Sequence, residues 1–295
     1  MDVGLAAGVW GVVATPFHGD RLEIDRESLA RLASHYASCG VSGLTVLGVF
    51  GEAVRLTTAE RRHVLETVAE AVELPLVVGT TSSATAPVIE EIELIQSVVG
   101  ARLAGAMVQV NTGDPAMLAA HLRAVHTGTG APIVVQDYPV ATGVKITTPA
   151  LISALDGLPG VAAIKAEAPP TPLAVSALTT ALGVPVFGGI GGIGLLDELA
   201  AGAAGAMTGF SFPEGLVAAT TAWRTGGYAA AREAFLPYLP LVNFEQQAGP
   251  ALAIRKRCLQ SRGLFADAAV RPPAPGMPPA LEEQLARHLA ALAGV

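Results

Sequence analysis

Short and almost continuous apolar runs recur along the chain, and each is followed by a longer stretch with helical spacing of apolar residues. Apolar runs without strict alternation are typical of parallel strands that are covered on both faces. Eight βα units in series, with no break in the rhythm, favour a closed (β/α)8 TIM barrel of the α/β class over an open doubly wound sheet. The predicted strands are Val9–Ala14, Gly43–Leu47, Leu76–Gly79, Gly105–Val110, Ile133–Gln136, Val161–Lys165, Val184–Phe187 and Gly205–Met207.

Amphipathic stretches predict helices between the strands and after the last one. The predicted helices are Arg26–Cys39, Thr58–Ala71, Ala84–Val99, Pro115–Thr127, Pro213–Thr225, Tyr228–Leu236, Leu239–Arg262 and Pro279–Leu292. The segment Arg271–Pro279 holds five prolines, which predicts an extended connector. We therefore expect a catalytic barrel over residues 1–222 and a C-terminal helical domain over residues 223–295.

The composition narrows the possible partners. The formal net charge is −7 and no basic cluster stands out, so neither nucleic acid nor an anionic membrane surface is expected as a partner. The two cysteines lie far apart and outside any metal-binding motif, and no signal peptide is recognisable, so we expect a cytoplasmic protein with reduced thiols. Only three lysines occur, which makes a lysine inside an apolar run informative.

One of these lysines, Lys165, ends the predicted sixth strand. Reactive side chains of TIM barrels cluster at the carboxyl ends of the strands. Desolvation at such a place favours the neutral amine, which can attack a carbonyl carbon. The alternative is a lysine that extends to solvent from the strand end or pairs with Glu167. The spacing alone leaves both interpretations open.

A glycine-flanked loop, Gly48-Val49-Phe50-Gly51-Glu52, follows the second strand. Consecutive backbone N–H groups in such a turn can hold a carboxylate. The alternative is an ordinary βα turn with Glu52 in the first turn of a helix.

Further candidates stand at or next to the predicted ends of other strands. They are Gln136, Asp137, Tyr138, Glu167, Gly189 and Thr208. Each also has a plain structural interpretation, since Asp137 suits a turn, Glu167 a solvated rim and Tyr138 a subunit contact. No Asp/His cluster recurs at matching strand ends, so no metal site is predicted.

These motifs, in this order, resemble the dihydrodipicolinate synthase/N-acetylneuraminate lyase superfamily of class I Schiff-base lyases and aldolases. The resemblance covers nearly the whole chain, and its motifs are Gly11–Phe17, Gly48–Glu52, Thr57–Arg61, Pro139 with Thr142-Gly143, Ile164-Lys165 and Gly202–Met207. It implies a TIM barrel with a small helical C-terminal domain, Lys165 as the Schiff-base lysine and no metal or organic cofactor. It also implies a small 2-oxo acid substrate and a homotetramer or homodimer.

The chain departs from the best-known members at several positions. Val49 and Phe50 stand where members that make dihydrodipicolinate or split sialic acid carry a hydroxyl pair. Gln136 takes the place of a tyrosine, and Ala141 that of an arginine. Tyr138 lies two residues beyond Gln136, which keeps it on the same face of the strand if the strand extends. The usual tyrosine–threonine–tyrosine relay is missing as a unit, which argues against a true dihydrodipicolinate synthase.

The run Gln136–Pro139, the Lys-x-Glu of Lys165–Glu167 and the segment Gly205–Gly209 look more like the branch of 2-keto-3-deoxy sugar acid dehydratases. We therefore expect Lys165 to form an iminium at C2 of a 2-keto-3-deoxy acid whose carboxylate binds at the backbone amides of Gly51 and its neighbours in the glycine loop. Gln136 is expected to act as an orienting amide and not as an acid. The candidate proton carriers are Tyr138, Asp137, Glu167 and Glu52. The alternatives are a pyruvate-dependent aldolase, a dihydrodipicolinate synthase-like condensing enzyme, a deaminating lyase and a catalytically silent barrel that binds an oxo acid.

Overall fold

The computed structural model describes residues 4–293, so the outermost residues of the two predicted domains lie outside the described part. Eight parallel strands close into a barrel, in which each strand pairs with its neighbours in the sequence and the eighth pairs with the first. The strands are β1 Gly8–Val12, β2 Gly43–Val46, β3 Leu76–Gly79, β4 Leu103–Gln109, β5 Ile133–Asp137, β6 Val161–Ala166, β7 Val186–Gly188 and β8 Gly205–Thr208. The predicted TIM barrel is confirmed.

Helices surround the barrel and continue after its last strand. They are α1 Arg26–Ser38, α2 Thr58–Ala71, α3 Thr85–Val99, α4 Pro115–Thr129, α5 Pro139–Thr142, α6 Thr148–Leu155, α7 Thr171–Ala181, α8 Leu195–Ala200, α9 Pro213–Phe235, α10 Leu239–Phe244, α11 Ala251–Ser261 and α12 Glu282–Leu292. Thr57 begins α2 with a capping box, since its side chain accepts from the Glu60 amide while the Glu60 carboxylate accepts from the Thr57 amide. An antiparallel hairpin, Phe17–His18 with Glu23–Ile24, precedes α1.

The helical part after β8 differs from the prediction in one place. The expected single helix Leu239–Arg262 is wrong, because residues 245–250 form a loop between α10 and α11. Gly249 has a φ of +94° and Pro250 lacks an amide hydrogen, so the helix cannot continue through them. By contrast, the expected break near residue 226 is present as a non-helical Gly227 inside α9.

The C-terminal helices pack against the barrel in a shared apolar core. Phe244, Leu285 and Leu292 belong to the same buried cluster as Trp10 of β1 and Leu44 of β2. This packing places the loop 245–250 and the proline-rich connector over one end of the barrel. The domain boundary at residues 222 and 223 falls inside α9 and stays a prediction. None of the helices between residues 4 and 293 is long and apolar enough to cross a bilayer.

Candidate active site

A cavity of about 360 Å³ opens at the carboxyl ends of the strands. Its floor includes Lys165 from β6, Gln136 from β5, Thr208 from β8, and Val49 and Phe50 from the loop after β2. The cavity therefore lies where reactive groups of this fold converge. Other barrel residues that line it are Val12, Arg55, Tyr138, Glu167, Ile190, Gly191 and Gly209.

The roof of the cavity comes from the C-terminal part of the chain. It consists of Gln246, Gly249, Ala251, Leu252, Arg255, Pro273, Ala274 and Pro275. The sequence analysis assigned no site role to these residues. Their spacing carries no chemical motif, and only the packing of the helices on the barrel brings them to its mouth.

The amine of Lys165 is buried beside a carboxylate. Lys165 is 7% exposed, and its Nζ lies 3.2 Å from Oε2 of Glu167, which is 4% exposed. The lysine therefore does not extend to solvent. Its pairing with Glu167, which the sequence analysis treated as an alternative to a reactive lysine, occurs inside the cavity.

Two hydrogen bonds and the space beside a glycine position the Glu167 carboxylate. The Nε2 of Gln136 donates to its Oε2 at 2.7 Å, and the backbone amide of Ile190 donates to its Oε1 at 3.1 Å. Gly189 provides the space, since a Cβ there would lie 2.1 Å from Oε1. Gly189 does not itself line the cavity. Ile190 adopts a φ of +46°, a conformation that a β-branched residue rarely takes outside constrained sites.

The loop Gly48–Glu52 is a tight turn under backbone strain. The Gly51 amide donates to the Gly48 carbonyl at 3.0 Å, and the Thr15 hydroxyl donates to the Gly51 carbonyl at 2.7 Å. Leu47 and Glu52, on either side, have φ values of +57° and +55°, each costing roughly 1–3 kcal/mol.

Only two residues of this loop line the cavity, Val49 and Phe50. Within residues 4–293 their amides donate no backbone hydrogen bond. The two N–H groups thus remain open to an acceptor, while Gly48 and Gly51 shape the turn around them.

Glu52 points away from the cavity. It is fully buried, its Oε1 pairs with Nζ of Lys256, and its Oε2 accepts from the Arg271 amide at 3.0 Å. Lys256 also donates to the Ala269 carbonyl at 2.8 Å, and burial lowers the pKa of its amine to about 8. This second buried lysine is therefore engaged outside the cavity. Glu52 joins the loop after β2 to the C-terminal connector, and the structure does not bring it to the other candidate residues.

Gln136 and Tyr138 both line the cavity. The strand does not extend to Tyr138, which follows the end of β5 at Asp137 and precedes α5. Burial raises the pKa of the Tyr138 phenol, with a further contribution from the Glu167 charge. Asp137, between them, is buried but does not line the cavity. Its pKa is raised to about 6, mainly by burial and also by Glu167. Thr208 accepts from the Gly191 amide at 2.7 Å and so holds the turn after β7.

A second buried carboxyl, Glu198 of α8, lies behind β7. Its Oε1 accepts from the Thr171 hydroxyl at 2.6 Å, and burial raises its pKa to about 7. A Cβ on Gly188 would lie 1.7 Å from its Oε2, so consecutive glycines at the end of β7 leave room for two carboxyl groups. The sequence analysis missed Glu198, although an acid among the apolar residues Leu195 and Leu199 of one helical face was an available signal.

One side-chain group outside the cavity has the composition of a metal site. His35, Cys39 and Glu214 place their polar atoms within 4.8 Å of one another. The Arg262 guanidinium donates to Glu214 Oε1 at 2.6 Å, and hydrogen bonds to Cys39 and Glu214 raise the pKa of His35 to about 9. A protonated imidazole and a neighbouring arginine both disfavour a bound cation.

Comparison with known proteins shows that the chain is an enzyme, a lyase of the class I type. It belongs to the dihydrodipicolinate synthetase family, whose sequence profile matches residues 5–292. This confirms the resemblance drawn from the sequence motifs.

Similar proteins carry more than one activity. The chain is 31% identical over 287 residues to L-2-keto-3-deoxyarabonate dehydratase of Azospirillum brasilense, covering 94% of this chain and 92% of that protein. It is 29% identical over 294 residues to 4-hydroxy-tetrahydrodipicolinate synthase of Kineococcus radiotolerans, covering 97% and 92%. The crystal structure of dihydrodipicolinate synthase from Rhodopseudomonas palustris superimposes with a TM-score of 0.89 at 29% identity, covering 97% and 98%.

Proposed function

We propose that this enzyme dehydrates a 2-keto-3-deoxy sugar acid through a Schiff base on Lys165. The observation that carries the proposal is the buried contact of 3.2 Å between Lys165 Nζ and Glu167 Oε2. It joins a nucleophile and a proton acceptor in one cavity. The near full-length similarity to the dehydratase of Azospirillum brasilense supports the same reaction class.

The reaction begins with binding of the substrate carboxylate at the open amides of Val49 and Phe50. The Lys165 amine, having passed its proton to Glu167 or to solvent, adds to C2. The carbinolamine hydroxyl takes a proton back from the same source and leaves as water, which forms an iminium and leaves Glu167 ionised. The iminium makes the C3 hydrogens acidic, and a carboxylate beside the nitrogen can remove one to form an enamine.

Elimination then follows from the enamine. The electron pair of the enamine forms the C3–C4 double bond as the C4 hydroxyl leaves. Glu167 returns the proton that it took from C3 to this leaving hydroxyl, so one water is lost. Hydrolysis of the unsaturated iminium consumes one water and restores the lysine. When C5 carries a hydroxyl in a CH2OH group, the product tautomerises to a semialdehyde.

The remaining side chains of the cavity have supporting roles. Gln136 and the Ile190 amide hold the carboxylate of Glu167 at the lysine, so both act as positioning groups. Val49 and Phe50 make the floor apolar where other members carry hydroxyls, and Tyr138 adds one phenol to the wall. A carboxylate thus takes the place of the missing tyrosine relay.

A second candidate is a pyruvate-dependent aldolase or a condensing enzyme like dihydrodipicolinate synthase. The favouring observation is the 29% identity to the synthase of Kineococcus radiotolerans. Both candidates use Lys165 in the same way. They differ in whether a C–O or a C–C bond breaks or forms beside the enamine.

Product analysis with purified protein separates these reactions. Five- and six-carbon 2-keto-3-deoxy sugar acids are expected to lose one water, whereas release of pyruvate indicates an aldolase. Ammonia from a cyclic imino acid indicates a deaminating lyase. Borohydride reduction in the presence of a 2-oxo acid, followed by intact mass, tests the covalent step.

A matched pair of variants locates the adduct. Lys165→Ala is expected to form none, whereas Lys145→Ala, at an exposed lysine, is expected to react like the parent protein. If the parent protein forms no adduct with any 2-oxo acid, the chain is a silent oxo-acid-binding barrel and the proposal fails.

We further propose a closed homotetramer or homodimer. Large apolar side chains remain exposed in the single chain, among them Val54 at 72%, Val140 at 77% and Leu173 at 71%. Light scattering tests this, with an expected mass of two or four times the 29.9 kDa of one chain. A mass of one chain at micromolar concentration contradicts it.

A further inference from the structure

The wall and roof of the cavity carry buried hydrogen-bond donors that have no hydrogen-bond partner among the described residues. The buried Nε2 of Gln246 and the buried Nε atoms of Arg55 and Arg255 form no hydrogen bond with any described residue. All three line the cavity. A buried donor without a partner is destabilising, so a ligand that brings acceptors to this place is bound more tightly.

The acidic neighbours of Arg255 and Arg55 do not fully neutralise the positive charge of the two guanidinium groups. Arg255 Nε lies 3.4 Å from Oε2 of Glu245, and an Arg55 nitrogen lies 3.6 Å from Oε2 of Glu52. Glu52 is shared with Lys256, and burial raises the pKa of Glu245 to about 7, so neither acid is a dedicated counter-ion at neutral pH. The planar guanidinium presents a fork that matches a carboxylate.

The donors stand close to the reacting groups. A Cβ on Gly191 would lie 1.6 Å from Nε2 of Gln246 and 2.7 Å from a terminal nitrogen of Arg255. Gly191 follows Ile190, whose amide holds Glu167. A substrate bound through C2 to Lys165 therefore has its far end within the same cavity as these donors.

Phe50 supports this arrangement from below. The Arg255 guanidinium lies 5.2 Å from the centre of the Phe50 ring, a cation–π distance. The residue that replaces a family hydroxyl thus also holds the arginine of the roof over the cavity.

We infer that Arg255, together with Gln246 and Arg55, forms a subsite for a second carboxylate at the distal end of the substrate. The preferred substrates are then 2-keto-3-deoxy aldaric acids, which have a carboxylate at each end, and not the aldonic acids, which end in CH2OH. The preference among substrates that are turned over rests on the proposed function. The subsite itself is testable by ligand binding alone.

The binding test uses two ligands that cannot form a Schiff base. They are a six-carbon 3-deoxy aldonic acid and the matching 3-deoxy aldaric acid, each with a hydroxyl at C2, so that they differ only at C6. Isothermal titration of the parent protein is expected to show at least tenfold tighter binding of the aldaric acid. Equal affinity for both overturns the subsite, since the roof then responds to a hydroxyl as well as to a carboxylate.

Arginine variants assign the preference. Arg255→Gln is expected to weaken the binding of the aldaric acid roughly ten- to a hundredfold, the range for losing a charge-assisted hydrogen bond. The affinity for the aldonic acid should fall less than about threefold. Arg257→Gln is the control, because Arg257 lies two residues on in the same helix and pairs with Glu282 outside the cavity. Equal losses for both ligands in Arg255→Gln overturn the proposal.

A second variant covers the case in which Arg255→Gln fails to fold because it leaves Glu245 buried alone. Gln246→Leu removes an unpartnered donor and is expected to reduce the preference for the aldaric acid at least threefold. Turnover separates this proposal from the proposed function. Tighter binding of the aldaric acid without any borohydride adduct or water loss keeps the subsite and rejects the dehydratase, whereas turnover of both keto acids with equal kcat/KM rejects the subsite alone.

Discussion

The carboxylate of Glu167 lies 3.2 Å from the amine of Lys165, two residues earlier in the chain. Side chains two apart in a strand share one face, so the Lys-x-Glu spacing directs both groups into the barrel mouth. The Gln136 amide and the Ile190 backbone then fix the carboxylate from two other strand ends. The proposed nucleophile and the proposed proton acceptor are thus in contact before any substrate binds.

Glu167→Gln is expected to keep the covalent step and lose most of the turnover. The amide cannot accept the C3 proton, so kcat should fall at least about a hundredfold, the usual contribution of a general base. The borohydride adduct with a 2-oxo acid should still form at Lys165. Steady-state kinetics and intact mass measure the two effects, and a kcat within threefold of the parent protein contradicts the assigned role.

Gly189→Ala is expected to displace Glu167 without unfolding the barrel. The new Cβ would lie 2.1 Å from Oε1, closer than non-bonded atoms approach, so the carboxylate must move. We expect at least a tenfold loss of kcat, because small misplacements of a reacting group are costly. Gly183→Ala is the control, since no atom lies within 4 Å of its added Cβ. Equal kcat in both variants argues that the position of Glu167 does not matter.

Glu198→Gln is expected to flatten the pH dependence of stability. The pKa of Glu198 is about 7 in the folded protein against 4.5 ordinarily, so the folded state holds its proton more tightly. The stabilisation is complete below about pH 4.5, declines as pH rises through 7 and is absent above, which amounts to about 3 kcal/mol. Urea unfolding at pH 4.5 and 8 should show a fall in the free energy of unfolding that is about 3 kcal/mol smaller in the variant than in the parent protein, because the raised pKa values of Asp137 and Glu245 contribute to the fall in both proteins.

The control for that comparison is Glu73→Gln, at an exposed glutamate. It should show the same change in the free energy of unfolding between the two pH values as the parent protein. If Glu198→Gln also behaves like the parent protein, the carboxyl of Glu198 is ionised in the folded state throughout, and the raised pKa is wrong.

Lys256→Met is expected to destabilise the protein while leaving the adduct intact. It leaves Glu52 buried without its lysine, a change that typically costs about 3–5 kcal/mol. The double variant Glu52→Gln with Lys256→Met should cost less than the sum of the two single changes. Lys145→Met, at an exposed site, should change the unfolding free energy by less than about 0.5 kcal/mol. Loss of the borohydride adduct in a folded Lys256→Met protein contradicts Lys165 as the reactive amine.

Much of the barrel was predictable because its signals are local. Buried parallel strands leave continuous apolar runs, and the eight runs lie within a few residues of the observed strands. The positions of Lys165 and Gln136 near the carboxyl ends of β6 and β5 follow from strand geometry alone. The prediction of one helix through residue 250 was wrong because it followed the apolar pattern and ignored the Gly249-Pro250 pair, which lies in the loop between α10 and α11.

The amino-acid sequence by itself determined the fold, the family and the lysine at the end of the sixth strand, since each depends on periodicity or on the order of short motifs. Only the tertiary structure decided that Glu52 pairs with Lys256, that Gln136 holds the carboxylate of Glu167, and that Arg255 and Gln246 cover the cavity. Gln136 and Glu167 lie 31 residues apart in the chain, and Glu52 and Lys256 lie 204 residues apart. Packing in three dimensions selects such partners, and the local sequence around each residue carries no signal for them.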